Sequence, residues 1–365
     1  MRILAAAGGT AGHVNPMLAT AEQLVARGHE VIAVGTATGL EAELVPAAGL
    51  ELVTIDRIPL PRRPSVDLLR LPGRLAGAVG DLRSVIRDRD IRVVLGFGGY
   101  VSAPAYLAAR MERIPVVIQE QNARAGIANR LGARWAKAVS LTFGTTRLKA
   151  RDGVTRVTGL PLRPAISVLA ADRRDPERSR ARRRAAAERF GFNPDERIIV
   201  VTGGSSGARR LNTAFSAAGA DIVDHAQVLH VTGRGKESDI APGVVGDRYR
   251  TVDYVTDMEE VYAMADLVVT RAGAGMVAEL AALAIPAVVV PLPIGNGEQY
   301  LNAQPSIEAG GFLHIADEDF TADAVRDRII PLLTEEELTR RSLILAGAGV
   351  SDGAAAVADL VEGVL

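Results

Sequence analysis

Short apolar runs, each closed by glycine, proline or polar residues, recur along the chain with amphipathic stretches between them. In the first half they predict strands near 2–7, 30–34, 52–55, 92–95, 115–119, 138–141 and 155–158. In the second half they fall near 197–202, 227–231, 249–254, 266–270, 286–290 and 312–315. Strands alternating with helical segments are the pattern of βαβ units and parallel sheets. After the first strand, Leu18, Ala21, Leu24 and Val25 lie at helical spacing and predict a helix. The chain has 365 residues, enough for two domains. The segment Gly159-Leu-Pro-Leu-Arg163-Pro164 reads as the hinge. The expected organisation is an N-terminal domain over 1–160, a C-terminal domain over 161–345, and a terminal helix over 346–365 that can pack back on the N-terminal domain.

Composition removes several function classes. The net charge is −1, so no global basic signal for nucleic acid is present. Cysteine is absent, which excludes a cysteine nucleophile, a cysteine zinc site and disulfides, and suits a reducing cytoplasm. The opening apolar run is too short for a signal peptide. The stretch Leu280–Gly295 is apolar but interrupted by Pro286, Pro291 and Pro293, and reads as a helix end, a turn and a buried strand rather than a membrane span. Residues 172–189 carry eight arginines and four acids without interleaved aromatics, which fits a solvated helix opening the second domain better than a nucleic-acid patch.

Candidate chemistry gathers where glycine-rich loops follow apolar strands. The first is Gly8-Gly9-Thr10-Ala11-Gly12-His13, the second Gly96-Phe97-Gly98-Gly99-Tyr100, the third Gly203-Gly204-Ser205-Ser206-Gly207. Loops of this kind bring backbone N–H groups and a helix N-terminus against an oxygen-rich ligand. None has the dinucleotide spacing G-x-G-x-x-G or the Gly-Lys-Ser/Thr of a P-loop. His13 is the one histidine in such a loop; His29, His225, His230 and His314 read as strand or helix positions.

A fourth loop, Arg271-Ala-Gly273-Ala274-Gly275-Met276, opens a helix carrying Glu279, where a carboxylate can accept hydrogen bonds from the vicinal hydroxyls of a ribose. Gly295-Asn-Gly297-Glu298-Gln299 and Asn302 form a polar cluster after a strand and suit hydroxyl and amide recognition. Gln119-Glu120-Gln121-Asn122 put four polar side chains at a strand end, and a second ligand site is expected there. The D-x-D patterns Asp88–Asp90 and Asp317–Asp319 lie in charged, loop-like contexts and read as solvated surface, so no metal site is expected. Ser205 and Ser206 follow two glycines, and a hydrolase is not expected.

Seven segments in order, GGTAGHVNP (8–16), GFGGYVSAP (96–104), QEQNARAGIANR (119–130), GLPLR (159–163), GGSSGARRLN (203–212), RAGAGMVAEL (271–280) and GNGEQYLNA (295–303), resemble the signature segments of the MurG family across essentially the whole chain. The resemblance implies an α/β GT-B architecture, with two Rossmann-like doubly wound domains facing across a cleft. It implies an inverting, metal-independent transfer of GlcNAc from UDP-GlcNAc to the C4 hydroxyl of MurNAc in an undecaprenyl-diphosphate-linked peptidoglycan precursor. UDP-GlcNAc is then the donor substrate and no cofactor is expected.

By position, the resemblance implies donor contacts from Arg163, Ser205, Val255, Ala274, Gly275, Met276, Glu279, Glu298 and Gln299. It places Thr10, Ala11, Gly12, Gly98, Gly99, Tyr100, Asn122 and Asn129 on the acceptor side, with His13 as general base and Glu120 as the next candidate. The implied partners are a UDP-sugar, a polyprenyl-diphosphate-linked acceptor and an anionic membrane surface. The implied location is cytoplasmic, peripheral on the inner face of the cell membrane.

Residues 57–75 mix Arg57, Arg62, Arg63, Arg70 and Arg74 with leucines, the composition of a peripheral anchor or of a loop and helix packed on the sheet. Four positions depart from the commonest family pattern: Ala11 and Gln119 on the acceptor side, Ser206 and Glu298 on the donor side. They keep open a MurG-like transferase of antibiotic or glycolipid biosynthesis that uses another UDP-sugar or acceptor. A sugar-nucleotide binder or epimerase of the same architecture is the third reading, and the chain lacks the carboxylate pair expected about a sugar ring.

Overall fold

The computed structural model of the chain describes residues 1–56, 66–204, 208–293, 297–348 and 352–364. By internal contacts it divides into two units, Met1–Arg163 with Ser351–Leu365, and Pro164–Val350.

The first unit holds seven strands: β1 Arg2–Ala6, β2 Glu30–Gly35, β3 Glu51–Thr54, β4 Ile91–Gly96, β5 Val116–Glu120, β6 Ala138–Leu141 and β7 Val154–Val157. They form one sheet in the order β3-β2-β1-β4-β5-β6-β7, with every pairing parallel. The central strands are apolar at successive positions because helices cover both faces. Ile3 and Ala5 of β1 point into one core with Val14, Met17, Val357 and Val361. Leu4 and Ala6 point into the other with Leu82, Ala105 and Tyr106.

The second unit repeats the plan. Its strands are β8 Ile198–Thr202, β9 Gln227–Val231, β10 Tyr249–Val252, β11 Leu267–Thr270, β12 Ala287–Val289 and β13 Phe312–His314. Their order is β10-β9-β8-β11-β12-β13, again all parallel. In both units the strand order reverses beside the first strand, between β1 and β4 and between β8 and β11. In open α/β sheets, loops at the carboxyl ends of the strands at such a switch point hold the ligand.

All thirteen expected strands form within a residue or two of the expected bounds. Three local expectations change. Val25 is exposed, and the buried stripe of the helix Ala11–Ala26 runs through Val14, Met17, Ala21 and Leu24 instead. Residues 346–365 are not one helix: the helix Glu335–Gly347 ends there, and a separate helix, Ala354–Glu362, packs Val357, Ala358 and Val361 against the first unit. His225 sits in a turn, and His29 immediately precedes β2, its Nε2 paired with Glu362 at 2.8 Å. The helix Val66–Asp88 starts inside the Arg/Leu segment; its Leu71 and Leu75 lean on the core, while 57–65 lie outside the described residues. The arginine-rich helix is Pro176–Arg189, capped by Asp175, whose carboxylate accepts from the N–H groups of Glu177 and Arg178.

One buried polar group ties stability to pH. His230 is fully buried, its Nδ1 2.6 Å from the Tyr249 hydroxyl and its Nε2 3.0 Å from Asn212 Oδ1. Burial lowers its pKa to about 3. As pH falls below about 6.5, the unfolded chain takes up a proton that the folded chain refuses. Stability present above that pH is therefore lost toward about pH 3, by up to about 1.4 kcal/mol per unit from this group. Urea unfolding at pH 7, 6 and 5 should show a shallower pH dependence for His230→Gln than for the wild type. Equal slopes would mean that His230 is accessible to protons in the fold.

Candidate active site

The first unit brings three loops together at its switch point. Gly98 and Gly99 have φ of +89° and +79°, and a Cβ on Gly99 would stand 2.5 Å from the Gly8 carbonyl oxygen. The loops after β1 and β4 can approach this closely only because both are glycine there. Ser102 stitches them further, its hydroxyl donating to the Ala6 and Gly98 carbonyls at 2.9 and 2.7 Å.

Thr10 is the N-cap of the helix Ala11–Ala26, so Ala11, Gly12 and His13 are its first turn rather than loop. The first N–H groups of a helix have no intrahelical acceptor and point at whatever binds there. His13 Nδ1 lies 3.0 Å from Thr10 Oγ1. Its ring stands against Gly98, where a Cβ would be 3.3 Å from Nε2. Burial pulls the His13 pKa down, the Glu41 charge pulls it up, and the result lies below the ordinary value. His13 is therefore neutral at pH 7.

Glu120 stands inside the fold. It is buried at the end of β5, and both oxygens are engaged: Oε1 accepts from Asn122 N–H at 2.9 Å, Oε2 from Gly126 N–H at 3.0 Å and Asn129 Nδ2 at 2.9 Å. Burial raises its pKa, partly offset by those bonds. Asn129 is itself buried and accepts from the Tyr106 hydroxyl at 2.7 Å. Gln119 and Gln121 are buried too, with Gln121 Nε2 donating to Gln119 Oε1 and Gln119 Nε2 to Thr142 Oγ1. Of the four polar residues read as a ligand site, three are thus interior scaffold, and only Asn122 is half-exposed. Asn129 sits behind Gly98, with Nδ2 3.3 Å from a Gly98 Cβ position, so the Glu120 network fixes the wall facing His13.

In the second unit, a cavity of about 470 Å³ opens beside β8 and β11, lined by Gly203, Gly204, Arg209, Arg210, Thr270, Arg271, Gly273, Met276 and Gln299 among others. Gly273 caps the helix Ala274–Ala282, whose first residues are Ala274, Gly275 and Met276. A Cβ on Gly273 or Gly275 would meet nothing within 4 Å, so the backbone lies open to a ligand. Glu279 is half-buried three residues beyond Met276, on the same helix face. Gln299 accepts from the N–H groups of Ala272 and Leu292, and Asn302 donates to the Ala272 carbonyl, which fixes the loop around the cavity. Glu298 opens the helix Glu298–Ala309 and is half-buried. Val255 is half-buried in the loop after β10, beside Tyr254, over which the Arg234 guanidinium stacks at 4.3 Å. Ser205, Ser206, Gly295 and Asn296 lie outside the described residues, and Arg163 is the last residue of the first unit before the division.

Sequence reasoning missed the charges of this cavity. Asp317 is not solvated surface: it pairs with Arg271 at 2.6 Å and with Arg210 at 3.0 Å. Two guanidiniums share one carboxylate, so this trio carries a net positive charge. Arg271 Nε and Thr270 Oγ1 are buried without a partner among the described residues. A cavity with open glycine backbone, a helix N-terminus and surplus positive charge suits a diphosphate. Arg271 was readable as the residue that opens its loop, whereas Asp317 comes from beyond β13 and only the fold brings it there.

Two family models match the chain: the glycosyltransferase family 28 N-terminal domain over residues 3–141 and the family 28 C-terminal domain over residues 198–357. The UDP-N-acetylglucosamine–N-acetylmuramyl-(pentapeptide) pyrophosphoryl-undecaprenol N-acetylglucosamine transferase of Clavibacter sepedonicus is 49% identical, over 98% of this chain and 95% of the relative. The protein of the same name from Bifidobacterium adolescentis is 44% identical, over 98% and 96%. Among solved structures, Acinetobacter baumannii MurG superposes with a TM-score of 0.77 at 26% identity, covering 99% of both chains. The calicheamicin glycosyltransferase CalG4 shares the fold, with a TM-score of 0.68 at 18% identity.

The open backbone at Gly275 gives a direct test. Gly275→Leu should fold as the wild type does, because its side chain enters empty space. It should weaken nucleoside-diphosphate binding by more than about tenfold, roughly 1.4 kcal/mol. Calorimetry with UDP reads the affinity and thermal unfolding the fold; unchanged affinity would place the diphosphate elsewhere.

Proposed function

The chain belongs to the MurG family within glycosyltransferase family 28, and we propose that it transfers GlcNAc from UDP-GlcNAc to the C4 hydroxyl of MurNAc in the undecaprenyl-diphosphate-linked peptidoglycan precursor. The observation that carries the chemistry is the pair of switch points: one surrounds a cationic cavity, the other an imidazole set between Thr10 and Gly98.

In this reading the donor diphosphate sits on the N-terminus of the helix Ala274–Ala282, with Arg271 as counter-charge and Glu279 on the ribose hydroxyls. Val255 reads the base through its backbone, and Glu298 and Gln299 meet the sugar. Ser205 and Arg163 complete the donor contacts. On the acceptor side, Thr10, Ala11, Gly12, Gly98, Gly99 and Tyr100 cradle the lipid diphosphate, and Asn122 and Asn129 border it.

The acceptor oxygen attacks the anomeric carbon from the face opposite UDP. The new C–O bond forms as the bond to the β-phosphate breaks, and the configuration inverts. The hydroxyl proton goes to His13. The competent tautomer is the one whose Nδ1–H donates to Thr10 Oγ1, leaving the Nε2 lone pair beside Gly98. The negative charge that develops on UDP is met by fixed dipoles and guanidinium groups already in place. Glu120 serves as scaffold for this wall, not as base.

No described helix is long and apolar enough to cross a membrane. A polyprenyl-linked acceptor nonetheless requires the enzyme to work at a membrane surface. Peripheral contact with the anionic inner face, through the Arg/Leu segment 57–75, is the corresponding proposal.

A transfer assay pairing UDP-GlcNAc, UDP-glucose and UDP-galactose with lipid-linked MurNAc-pentapeptide tests the whole reading. UDP-GlcNAc should be the preferred donor, and turnover should persist in excess EDTA. Preference for another sugar would favour the antibiotic or glycolipid alternative, and loss of turnover restored by Mg²⁺ would require a metal at the diphosphate.

His13→Ala should lose about 10²–10⁴ in kcat with UDP affinity unchanged. Near-normal kcat in that variant would place the base elsewhere.

A further inference from the structure

We propose that Glu41 is a positioning residue for this transfer: a buried carboxylate that sets the loops around His13 and stabilises its protonated form. The inference rests on the reading of His13 as base. Glu41 begins the helix Glu41–Ala47 and is completely buried. Its Oε1 accepts from the Thr36 N–H at 3.0 Å, the Thr36 hydroxyl at 2.9 Å and the Tyr100 hydroxyl at 3.4 Å. Its Oε2 accepts from the Gly9 N–H at 3.3 Å. One side chain thus joins the loops after β1, β2 and β4.

The surroundings are cut to fit it. A Cβ on Gly35 or Gly39 would stand 2.2 Å from Glu41 side-chain atoms, and one on Gly8 3.1 Å. Gly35 at the end of β2, with Gly8 and Gly39 in the loops, makes room for this carboxylate. Burial pushes its pKa up, but hydrogen bonds from its own backbone, Thr36 and Gly9 outweigh that, and it ends below the ordinary value. It is therefore an anion at neutral pH.

No cation of the described residues lies within ion-pair distance of Glu41. Among the described residues the carboxylate is held by neutral donors alone, and both of its oxygens accept. The carboxylate holds Gly9, the neighbour of Thr10 whose hydroxyl lies 3.0 Å from His13 Nδ1, and from there its charge raises the proton affinity of His13 against burial. When His13 takes the hydroxyl proton, the imidazolium forms within the field of this anion. The other ionisable groups facing the cluster are Tyr100, hydrogen-bonded to Glu41 and Thr36, and Glu120, held behind Asn129.

The test is an NMR titration of the His13 ring in the full chain, wild type against Glu41→Gln and Glu41→Asp, without substrates. Glu41→Gln should titrate at lower pH by roughly half a unit to one unit, because a raising charge is gone. Glu41→Asp, which keeps the charge, should return most of the shift even where shorter reach loosens the loops. In turnover, Glu41→Gln should lower kcat by about tenfold, move the acidic limb of kcat/KM to lower pH and leave UDP affinity unchanged. Should Glu41→Gln fail to fold, the reciprocal measurement decides: the Glu41 carboxylate should titrate at higher pH in His13→Gln than in the wild type by a similar roughly half to one unit, and an unchanged Glu41 midpoint overturns the proposal. An unshifted His13 midpoint in folded Glu41→Gln also overturns it. If His13 shifts as expected but the wild type transfers no GlcNAc, the functional reading fails and the electrostatic coupling stands.

Discussion

The close approach of two backbone loops at the end of the first sheet is the constraint on which its site depends. The Gly8 carbonyl and the Gly99 α-carbon meet where a Cβ would be 2.5 Å from oxygen. Any side chain at Gly99 would force the loops apart, and with them the first turn of the helix Ala11–Ala26. His13 would then lose its wall at Gly98. The glycines are needed less for flexibility than for the absence of an atom.

The second unit uses the same topology for a different end. Its loops at the switch point leave a cavity, and charge fills the role that close packing plays in the first. Arg210 and Arg271 share Asp317, so neither guanidinium is fully neutralised. The paired acid holds both in place, which would lower the reorganisation that binding an anion demands.

Polar residues in the first unit divide into those that hold and those that face outward. Gln119, Glu120, Gln121 and Asn129 are buried and spend hydrogen bonds on loop backbone or on one another. All but Gln121 Oε1 of this set find partners among the described residues, and the bonds tie the loops after β5 into one shell. Thr10 is exposed, and His13 and Asn122 are partly exposed, so these side chains reach solvent.

The sequence by itself determined the secondary structure and the placing of the glycine loops. Parallel strands buried on both faces write themselves as uninterrupted apolar runs, and loops that touch ligands or each other write themselves as glycine. It also supplied His13 and the loop at 271–276. It could not determine which polar residues face inward, because Glu120 and Glu298 look alike in one dimension. Nor could it reveal Glu41, which resembles any acid opening a helix, or Asp317, which resembles a solvated loop. Their roles come from contacts across long stretches of chain: Glu41 to Gly9 and Tyr100, Asp317 to Arg210 and Arg271. Burial and charge pairing are properties of three-dimensional neighbourhoods, and only the tertiary structure decides them.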